Sequence, residues 1–291
     1  MANGLLNILK PPGLTSSDVV VRCKKVFGEK RCGHMGTLDP AAAGVLLVGV
    51  GKTARLFDYL LQKDKAYRAV FSFGKETDTL DSCGKLTRVC EKPVTKEEFC
   101  RALGAFTGKI GQVPPAYSAI KVGGEKAYDL ARSGRPAELK PRPVEIFSLT
   151  FLGELAPNVF ELDIVCSAGT YIRALARDLA RALGTVGNMD SLIRLRCGPF
   201  RLEDSLTEEE VARGAAEGRG LIPPEEVLAD LPDWRPSQRD CFRLRNGLPA
   251  EAEADGLFRL WEGDRFVGLA EVREGRGKIR TLLEDGRSGP L

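Results

Sequence analysis

The most informative part of the chain is the stretch Gly33-His34-Met35-Gly36-Thr37-Leu38-Asp39-Pro40, which is followed closely by Gly44-Val45-Leu46. Its glycines and proline predict a loop of fixed shape that leads into regular structure. The stretch contains the only histidine of the chain, five residues before Asp39. Rigid scaffolds often present reactive groups on such loops. From these residues alone, Asp39 is also open to a second interpretation, as the cap of a helix that begins at Pro40.

The composition is that of an ordinary globular protein. Of the 291 residues, 43% are hydrophobic and 29% are charged, which predicts one large domain, or one large and one small domain. The longest apolar run without a charge, Pro40–Gly51, is too short to span a bilayer. The first residues show no basic stretch before an apolar segment, so we expect no signal peptide and a cytoplasmic location.

The use of histidine and cysteine excludes several kinds of site. A single histidine excludes metal sites built from several histidines, and any Ser-His-Asp arrangement would have to use His34. The eight cysteines show no Cys-x-x-Cys spacing, which argues against a zinc ribbon or a thioredoxin-like site. We therefore expect reduced, mostly buried thiols.

Charge is distributed unevenly along the chain, although the net charge is only +3. Residues 1–140 carry a net charge of +9, whereas residues 201–240 carry −6. A basic region beside an acidic one is compatible with a polyanion that docks on one side. On charge alone, a solvated basic surface without a partner explains the pattern equally well.

Hydrophobic periodicity and capping signals predict a mixture of helices and strands. Helices are expected directly after Ser16-Ser17-Asp18, over Thr53–Leu61, over Thr95–Phe106 with a capping box, and over Thr170–Leu183. Strands are expected over Val45–Val50, Ala66–Phe73, Val144–Leu152 and Val159–Cys166, the last two forming a hairpin. The predicted fold class is therefore mixed α/β (α+β), with a largely antiparallel sheet flanked by helices.

The character of the chain changes after residue 200. We predict a catalytic domain over residues 1–200, an acidic helical linker over 201–235 and a small all-β barrel over 236–291. Residues 241–291 carry nine basic residues interleaved with aromatic ones. An accessory nucleic-acid-binding barrel and a purely stabilising barrel are both compatible with these residues.

One pattern points to a different class of protein. The stretch Gly49-Val50-Gly51-Lys52-Thr53-Ala54 fits a dinucleotide-binding fingerprint, with Glu76 and Asp78 about twenty residues further on. The chain after Asp78 does not continue as alternating strands and helices, so we favour a tight strand-to-helix turn. A dinucleotide-dependent enzyme remains the alternative hypothesis.

Several motifs in a fixed order resemble one known family. In addition to the stretch around Asp39, they are Lys10-Pro11-Pro12-Gly13-x-x-Ser16, Asp64-Lys65-x-Tyr67, Gly74-x-x-Thr77-Asp78-Thr79-x-Asp81-x-x-Gly84, Pro114-Pro115-x-Tyr117-Ser118-Ala119-x-Lys121, Tyr128-x-x-Ala131-Arg132 and Cys166-Ser167-x-Gly169-Thr170-Tyr171-Ile172-Arg173. Together they cover about residues 4–200 and resemble the TruB family, the tRNA pseudouridine(55) synthases. The C-terminal part is similar to the small PUA-like barrel of that family, though less distinctively.

This resemblance implies the pseudouridine synthase fold and an isomerase. Such an enzyme detaches a uracil in the T-loop of tRNA from its ribose, rotates it and attaches it again through carbon. The resemblance implies no cofactor and no metal. It further implies tRNA, bound by its T-arm, as the partner. We expect a stand-alone monomer that requires no protein partner.

The resemblance also assigns roles to individual residues. Asp39 is implied as the catalytic carboxylate, and Arg173 as the arginine that keeps it ionised, because a nearby opposite charge favours the charged form. Tyr67 is implied to stack on the target base and Tyr171 to line the same pocket. Without the motifs, Arg173 would be interpreted as an exposed helix charge and Tyr67 as a core aromatic residue.

Further residues are implied to bind the nucleotide. Leu192 would close on it, and His34 would hold the base out of its stack, with general base as the rival role. Flipping a base costs a few kcal/mol, and stacking on an aromatic ring recovers about 1–3 kcal/mol per base. Phosphate contacts are implied for Lys10, Arg31, Lys121 and Arg132. The chain departs from the family after Leu192, where Ile193-Arg194-Leu195 replaces two arginines and a threonine.

A second class of function is an RNA-binding or RNA-folding module in which the catalytic residues are incidental. The basic region 1–140 and the C-terminal barrel motivate this hypothesis. Substitution of Asp39 separates it from the isomerase, because a pure binding module would not need that carboxylate.

Overall fold

The computed structural model describes residues 2–135, 137–217 and 219–283, and residues 284–291 of the predicted barrel lie outside this part. Its helices are α1 (Ser16–Phe27), α2 (Phe57–Leu61), α3 (Lys96–Leu103), α4 (Ala127–Arg132), α5 (Ile172–Ala182), α6 (Glu208–Ala215), α7 (Pro224–Val227) and α8 (Gln238–Arg245), with 3-10 turns at Gly51–Leu56 and Gly104–Phe106. None of the helices in the described ranges combines the length and the apolar character that crossing a membrane requires.

A nine-stranded sheet forms the centre of the larger part. The strands of the chain are β1 (Gly4–Lys10), β2 (Cys32–His34), β3 (Ala43–Val50), β4 (Lys65–Phe73), β5 (Lys75–Thr77), β6 (Leu86–Val89), β7 (Gly108–Gln112), β8 (Lys121–Val122), β9 (Glu125–Lys126), β10 (Arg142–Ala156), β11 (Val159–Cys166), β12 (Gly187–Cys197), β13 (Phe200–Arg201), β14 (Asp233–Trp234), β15 (Ala250–Glu251), β16 (Gly256–Glu262), β17 (Arg265–Arg273) and β18 (Arg276–Leu282). The large sheet has the order β1-β3-β12-β4-β11-β10-β7, with β2 on β3 and β13 on β12. Within this sheet only β3 and β12 pair in parallel, so the predicted α+β class with a largely antiparallel sheet is confirmed.

Side chains alternate between the two faces of the sheet, as the period of a strand requires. On β3, Leu46 and Val48 belong to the main core, whereas Val45 and Leu47 belong to a second core on the other face. Both faces are therefore covered, which explains why β3 is an uninterrupted apolar run. In the main core, α5 packs against the sheet through residues such as Leu175 and Leu179.

The ends of the helices follow local capping chemistry. The predicted capping box of α3 is confirmed, because Thr95 accepts from the Glu98 amide and the Glu98 side chain accepts from Thr95. Helix α1 also has a capping box, but its cap is Thr15 and not the predicted serine group, because the Asp18 side chain pairs with Thr15. The predicted helix Thr53–Leu61 begins instead as a 3-10 turn and becomes α-helical only at Phe57.

A five-stranded sheet, in the order β14-β16-β17-β18-β15, forms the C-terminal part. It is a curled half-barrel, as the predicted PUA-like domain requires, and its packing continues into the larger part. Leu269 on β17 and Leu283 share the second core with Leu5 and Met35. The amide of Asn3 also donates to the carbonyl of Leu283 at 3.1 Å.

The predicted acidic linker lies against the large sheet. Leu5 exchanges two backbone hydrogen bonds of 2.8 Å with Ile222, and the Leu9 amide donates to Leu206 at 2.9 Å. Val227 and Leu228 are buried in the second core. The segment thus extends the edge of the sheet at β1, and our division of the chain at residues 200 and 235 stays a prediction.

The dinucleotide fingerprint has a structural explanation. A Cβ on Gly49 would lie 2.4 Å from the Met35 methyl carbon, and a Cβ on Gly51 would lie 2.5 Å from the Ala2 carbonyl oxygen. Thr53 is fully buried and binds the side chain of Asn3. These glycines therefore permit close packing. The sheet is also largely antiparallel, unlike the mostly parallel sheet of a dinucleotide-binding fold, so the structure argues against the dinucleotide alternative.

Candidate active site

The loop that carries Asp39 is held by short hydrogen bonds. The Leu38 amide donates to the Ser16 hydroxyl at 2.9 Å, and this hydroxyl donates to the Leu38 carbonyl at 3.1 Å. The Ala42 amide donates to the Asp39 carbonyl at 3.0 Å, which closes a turn directly before β3. No helix begins at Pro40, so the helix-cap interpretation of Asp39 is wrong.

Lys10 supports the main chain of this loop. Its ammonium group donates to the carbonyls of Pro11, Pro40 and Ala42 at 2.9, 3.2 and 2.6 Å. The side chain is completely buried, and burial lowers the pKa of Lys10 to about 8, with the charge of Asp39 acting in the opposite direction. The implied phosphate contact at Lys10 disagrees with this structure, because the ammonium faces three carbonyls and no solvent.

Asp39 and Arg173 form a two-point ion pair. Arg173 donates from Nε to Oδ2 at 2.9 Å and from Nη2 to Oδ1 at 2.8 Å. The guanidinium comes from the first turn of α5 and is 8% exposed, whereas the Asp39 side chain is 29% exposed. Planar bidentate pairs fix geometry as well as charge. One edge of the carboxylate is therefore fixed while the group stays open to solvent.

The remaining donors of Arg173 bind two other segments. Nη1 donates to the Thr79 carbonyl at 2.8 Å, and Nη2 donates to the Tyr117 carbonyl at 3.1 Å. Asp81 lies near the same guanidinium, with 3.8 Å between its Oδ2 and Nε. The Thr79 hydroxyl in turn donates to Asp81 at 2.6 Å. Arg173 thus joins the Asp39 loop to two other loops.

Tyr67 and Leu192 form an apolar wall. Tyr67 lies on β4 and is 7% exposed, and Leu192 on the neighbouring β12 is 6% exposed. Both belong to the main core together with Leu38, the residue before Asp39. Burial raises the pKa of the Tyr67 phenol to about 12, so the hydroxyl is neutral at pH 7. A neutral aromatic ring suits an uncharged base.

Tyr171 is fixed by its main chain. Its amide donates to the Gln112 side chain at 2.8 Å, and the Gln112 amide group donates to the Tyr171 carbonyl at 3.2 Å. Gln112 is 1% exposed, so this contact is rigid. Tyr171 immediately precedes α5 and lies two residues before Arg173 in the sequence. Burial raises the pKa of the Tyr171 phenol.

His34 lies at the end of β2, opposite Val48 of β3. Its Nδ1 is buried and has no hydrogen-bond partner among the described residues. Burial lowers the pKa of the imidazole, and the positive charge of Arg194 lowers it further. Both effects favour the neutral imidazole.

The other implied phosphate contacts come from three separate segments. Arg132 ends α4 and contacts Tyr128, with its guanidinium 5.6 Å from the ring centroid, and the Tyr128 ring lies 5.8 Å from that of Tyr117. Lys121 is exposed on β8, and Arg31 pairs with Glu29 at 3.3 Å.

Among the implied site residues, the structure brings Asp39 and Arg173 into direct contact and places Tyr67 and Leu192 in one core with Leu38. The implied roles of the other residues stay predictions.

Sequence reasoning missed three residues at the site. Asp81 and Gln112 lie within or next to quoted motifs, but nothing in their spacing indicates a contact with Arg173 or Tyr171. Arg194 was noted only as part of a departure from the family pattern, although it is the largest fully buried side chain of the described protein. Its burial depends on pairing between distant strands, which no local pattern contains.

The comparison with known families agrees with this geometry. A family model described as TruB family pseudouridylate synthase (N terminal domain) matches residues 24–172. This chain belongs to the TruB family. The matched range contains the Asp39 loop and Tyr67 and ends one residue before Arg173.

Relatives in the TruB family align over almost the whole chain. A protein of Caldanaerobacter subterraneus subsp. tengcongensis, named tRNA pseudouridine synthase B, is 46% identical over 283 residues, which cover 96% of this chain and 97% of the relative. A protein of the same name from Symbiobacterium thermophilum is 45% identical over 250 residues, 84% of this chain and 82% of the relative.

Solved structures share the fold. A crystal structure of a Cbf5-Nop10-Gar1 complex matches with a TM-score of 0.72 and 25% identity, over 97% of this chain and 84% of that chain. The structure of an H/ACA RNP bound to a substrate RNA containing 2'-deoxyuridine matches with a TM-score of 0.71 and 22% identity, over 97% and 85% of the two chains. At this identity the second match supports the fold alone.

Proposed function

We propose that this protein is a tRNA pseudouridine synthase, an isomerase that converts a uridine in the T-loop of tRNA to pseudouridine. Membership in the TruB family supports the reaction class, and relatives of 45–46% identity carry the name tRNA pseudouridine synthase B. Position 55 of tRNA is the target that the family resemblance implies. The chain supplies the chemistry from its own side chains, with Asp39 as the essential group.

The observation that carries this proposal is the pair of Asp39 and Arg173. Arg173 binds both carboxylate oxygens at 2.8 and 2.9 Å, and it is itself buried. A carboxylate with one fixed edge and one open side can act on a ribose or a base brought against it. Arg173 therefore holds the Asp39 carboxylate in one orientation.

The surrounding side chains suit a uracil taken out of its stack. Flipping costs a few kcal/mol, and each base stacked on an aromatic ring recovers about 1–3 kcal/mol. Tyr67 offers a neutral ring, Leu192 an apolar neighbour, and His34 an imidazole whose neutral form is favoured. We propose that Tyr67 and Leu192 enclose the target base, that Tyr171 lines the pocket, and that His34 helps to keep the base extruded.

We propose that tRNA docks by its T-arm on the basic half of the protein. Residues 1–140 carry a net charge of +9, and lysine and arginine contacts to phosphates supply salt-dependent affinity without reading sequence. Arg132 lies on an exposed helix and is the strongest candidate for such a contact among the implied cations. We further propose that the enzyme works in the cytoplasm as a monomer, without a protein partner.

The test is tritium release from tRNA that carries 5-tritiated uridine. Wild type is expected to release tritium, and Asp39→Asn is expected to release none while tRNA binding stays within about twofold. Asp163→Asn is the matched control, because Arg68 binds Asp163 with the same two-point geometry at 2.9 Å on the surface of the sheet. The control variant should keep wild-type turnover.

Two outcomes would overturn the proposal in different ways. Release by Asp39→Asn at the wild-type rate would remove Asp39 from the chemistry. No release by wild type, on a tRNA shown to bind, would favour the alternative function of an RNA-binding or RNA-folding protein.

A further inference from the structure

Arg194 is a buried cation in the middle of the large sheet. It is 2% exposed and lies on β12, opposite Tyr67 of β4 and beside Gly44 of β3. None of the roles proposed above uses it. A charged side chain in such a position normally requires a specific partner, because desolvation of an ion is costly.

The guanidinium of Arg194 binds two carbonyls on either side of Asp39. Nε donates to the Val45 carbonyl at 2.7 Å, and Nη2 donates to the Gly36 carbonyl at 3.1 Å. Gly36 precedes Asp39 by three residues, and Val45 follows it by six. One planar group thus joins the start of the catalytic loop to the strand at its end.

The backbone around Arg194 is built to bring these groups together. A Cβ on Gly44 would lie 2.3 Å from the Arg194 carbonyl oxygen, so only glycine permits the close approach of β3 and β12. Gly44 also has a φ of +106°, which disfavours other residues. The contact between Arg194 and the loop therefore depends on the backbone as well as on the side chain.

Arg194 forms no ion pair with a carboxylate among the residues that the structure describes. Its guanidinium binds the two carbonyls and also forms a hydrogen bond with the Tyr67 phenol. Its positive charge instead changes the pKa of neighbouring groups. It helps to lower the pKa of His34 and that of Lys10, in both cases after burial, and it opposes the rise in the pKa of Tyr67. A carboxylate partner would neutralise this field, so its absence is consistent with a role beyond stability.

We propose that Arg194 is a positioning residue of the active site, which sets the path of the Asp39 loop by holding the Gly36 and Val45 carbonyls at once. The inference rests on the proposed function, because it assigns Arg194 to that reaction. Arg173 fixes the carboxylate of Asp39 from α5, and Arg194 fixes the main chain that carries it from β12. A lysine cannot replace Arg194, since an ammonium lacks the rigid fork that reaches both carbonyls.

The experiment compares Arg194→Lys and Arg194→Met with Arg196→Lys. Arg196 is the matched control, because it lies two residues further on β12 but binds Asp64 at 2.7 Å near the surface. For Arg194→Lys we expect kcat for tritium release to fall at least tenfold, with tRNA affinity within about twofold of wild type. The control should keep the wild-type kcat. Wild-type kcat in Arg194→Lys would overturn the proposal.

A second readout separates the charge of Arg194 from its shape. His34 is the only histidine of the chain, so its imidazole gives an unambiguous NMR titration in untagged protein. We expect the pKa of His34 to stay near its wild-type value in Arg194→Lys and to rise in Arg194→Met. An unchanged pKa in Arg194→Met would contradict the proposed field of Arg194 at the site.

Amide exchange tests the positioning without any turnover. The amides of Leu38 and Ala42 are hydrogen-bonded within the loop, and we expect both to exchange faster in Arg194→Lys than in wild type or Arg196→Lys. Unchanged exchange would overturn the positioning role even if the wild-type protein proved inactive on tRNA. If the wild type released no tritium while Arg194→Lys still showed faster exchange, the proposed function would be refuted. The role of Arg194 in holding the loop would remain supported.

Discussion

Two ion pairs of the same geometry in different surroundings allow a quantitative test of the active site. Arg173–Asp39 and Arg68–Asp163 are both bidentate, with donor–acceptor distances of 2.8–2.9 Å. Their carboxylates are similarly exposed, at 29% and 31%, but Arg173 is 8% exposed and Arg68 is 43% exposed. The two pairs differ in the burial of the guanidinium and in the Thr79 and Tyr117 carbonyls that Arg173 binds in addition.

The structure sets the expected magnitudes. For the surface pair, a double-mutant cycle should give a coupling energy of about 0.2–1 kcal/mol. For Arg173–Asp39, hydrogen bonds to charged groups contribute about 1.5–3 kcal/mol each, and partial exposure of Asp39 weakens them, so we expect a coupling of about 2–3 kcal/mol. Arg173→Met alone should cost about 3–5 kcal/mol, because it also leaves the Thr79 and Tyr117 carbonyls without their donor.

The assay is urea unfolding of wild type, Asp39→Asn, Arg173→Met and the double variant, with the equivalent cycle for Asp163→Asn and Arg68→Met. Far-UV circular dichroism is the appropriate probe, because both tryptophans, Trp234 and Trp261, lie in the C-terminal sheet. In 1 M salt the surface coupling should vanish and the buried one should persist. Coupling energies of equal size for the two pairs would refute the reasoning.

Two further predictions concern the support of the loop. Gly44→Ala should lower the free energy of unfolding by about 3–5 kcal/mol through strain and a clash with Arg194, whereas Gly108→Ala, which has a φ of +92° but no atom within 4 Å, should cost about 1–3 kcal/mol. Thermal unfolding checks both, and equal losses would contradict the close approach of the strands. Because the pKa of folded Lys10 is about 8, below its ordinary value of 10.5, the unfolded state binds more protons between these pH values and stability from this group rises with pH. The free energy of unfolding of wild type, relative to that of Lys10→Met, should therefore rise by up to about 3 kcal/mol from pH 8 to 10.5. A difference that does not change with pH would contradict the burial of the ammonium.

Local signals predicted those elements that local chemistry determines. The capping box of α3 and the hairpin of β10 and β11 lie within short segments whose residues interact with one another. At α1 two neighbouring residues offered a cap, and Thr15 is used because Asp18 pairs with it. Boundaries are decided by such competition between adjacent side chains, which spacing alone does not rank.

Non-local packing decided the rest. No pattern above predicts β12, although it is central in the sheet, because its role depends on β3 and β4 far away in the chain. For the same reason the implied phosphate contact at Lys10 did not anticipate that its side chain is fully buried. The motifs singled out Asp39, Tyr67 and Arg173 because family resemblance carries three-dimensional information. They assigned no role to Arg194, which lies between two positions, Ile193 and Leu195, where this chain departs from the pattern.

The second core has a consequence for the order in which the protein can be completed. Met35, inside the catalytic stretch, packs in a cluster that also contains Leu269 and Leu283. When synthesis has reached residue 200, every proposed catalytic group is present in the nascent chain. The C-terminal residues that pack on one face of β3 have not yet been made. At 5–20 residues per second, the remaining residues up to 283 take about 4–17 s. We expect the apolar residues of this face of β3 to lack part of their cover during this interval, and such exposed surface is what chaperones bind.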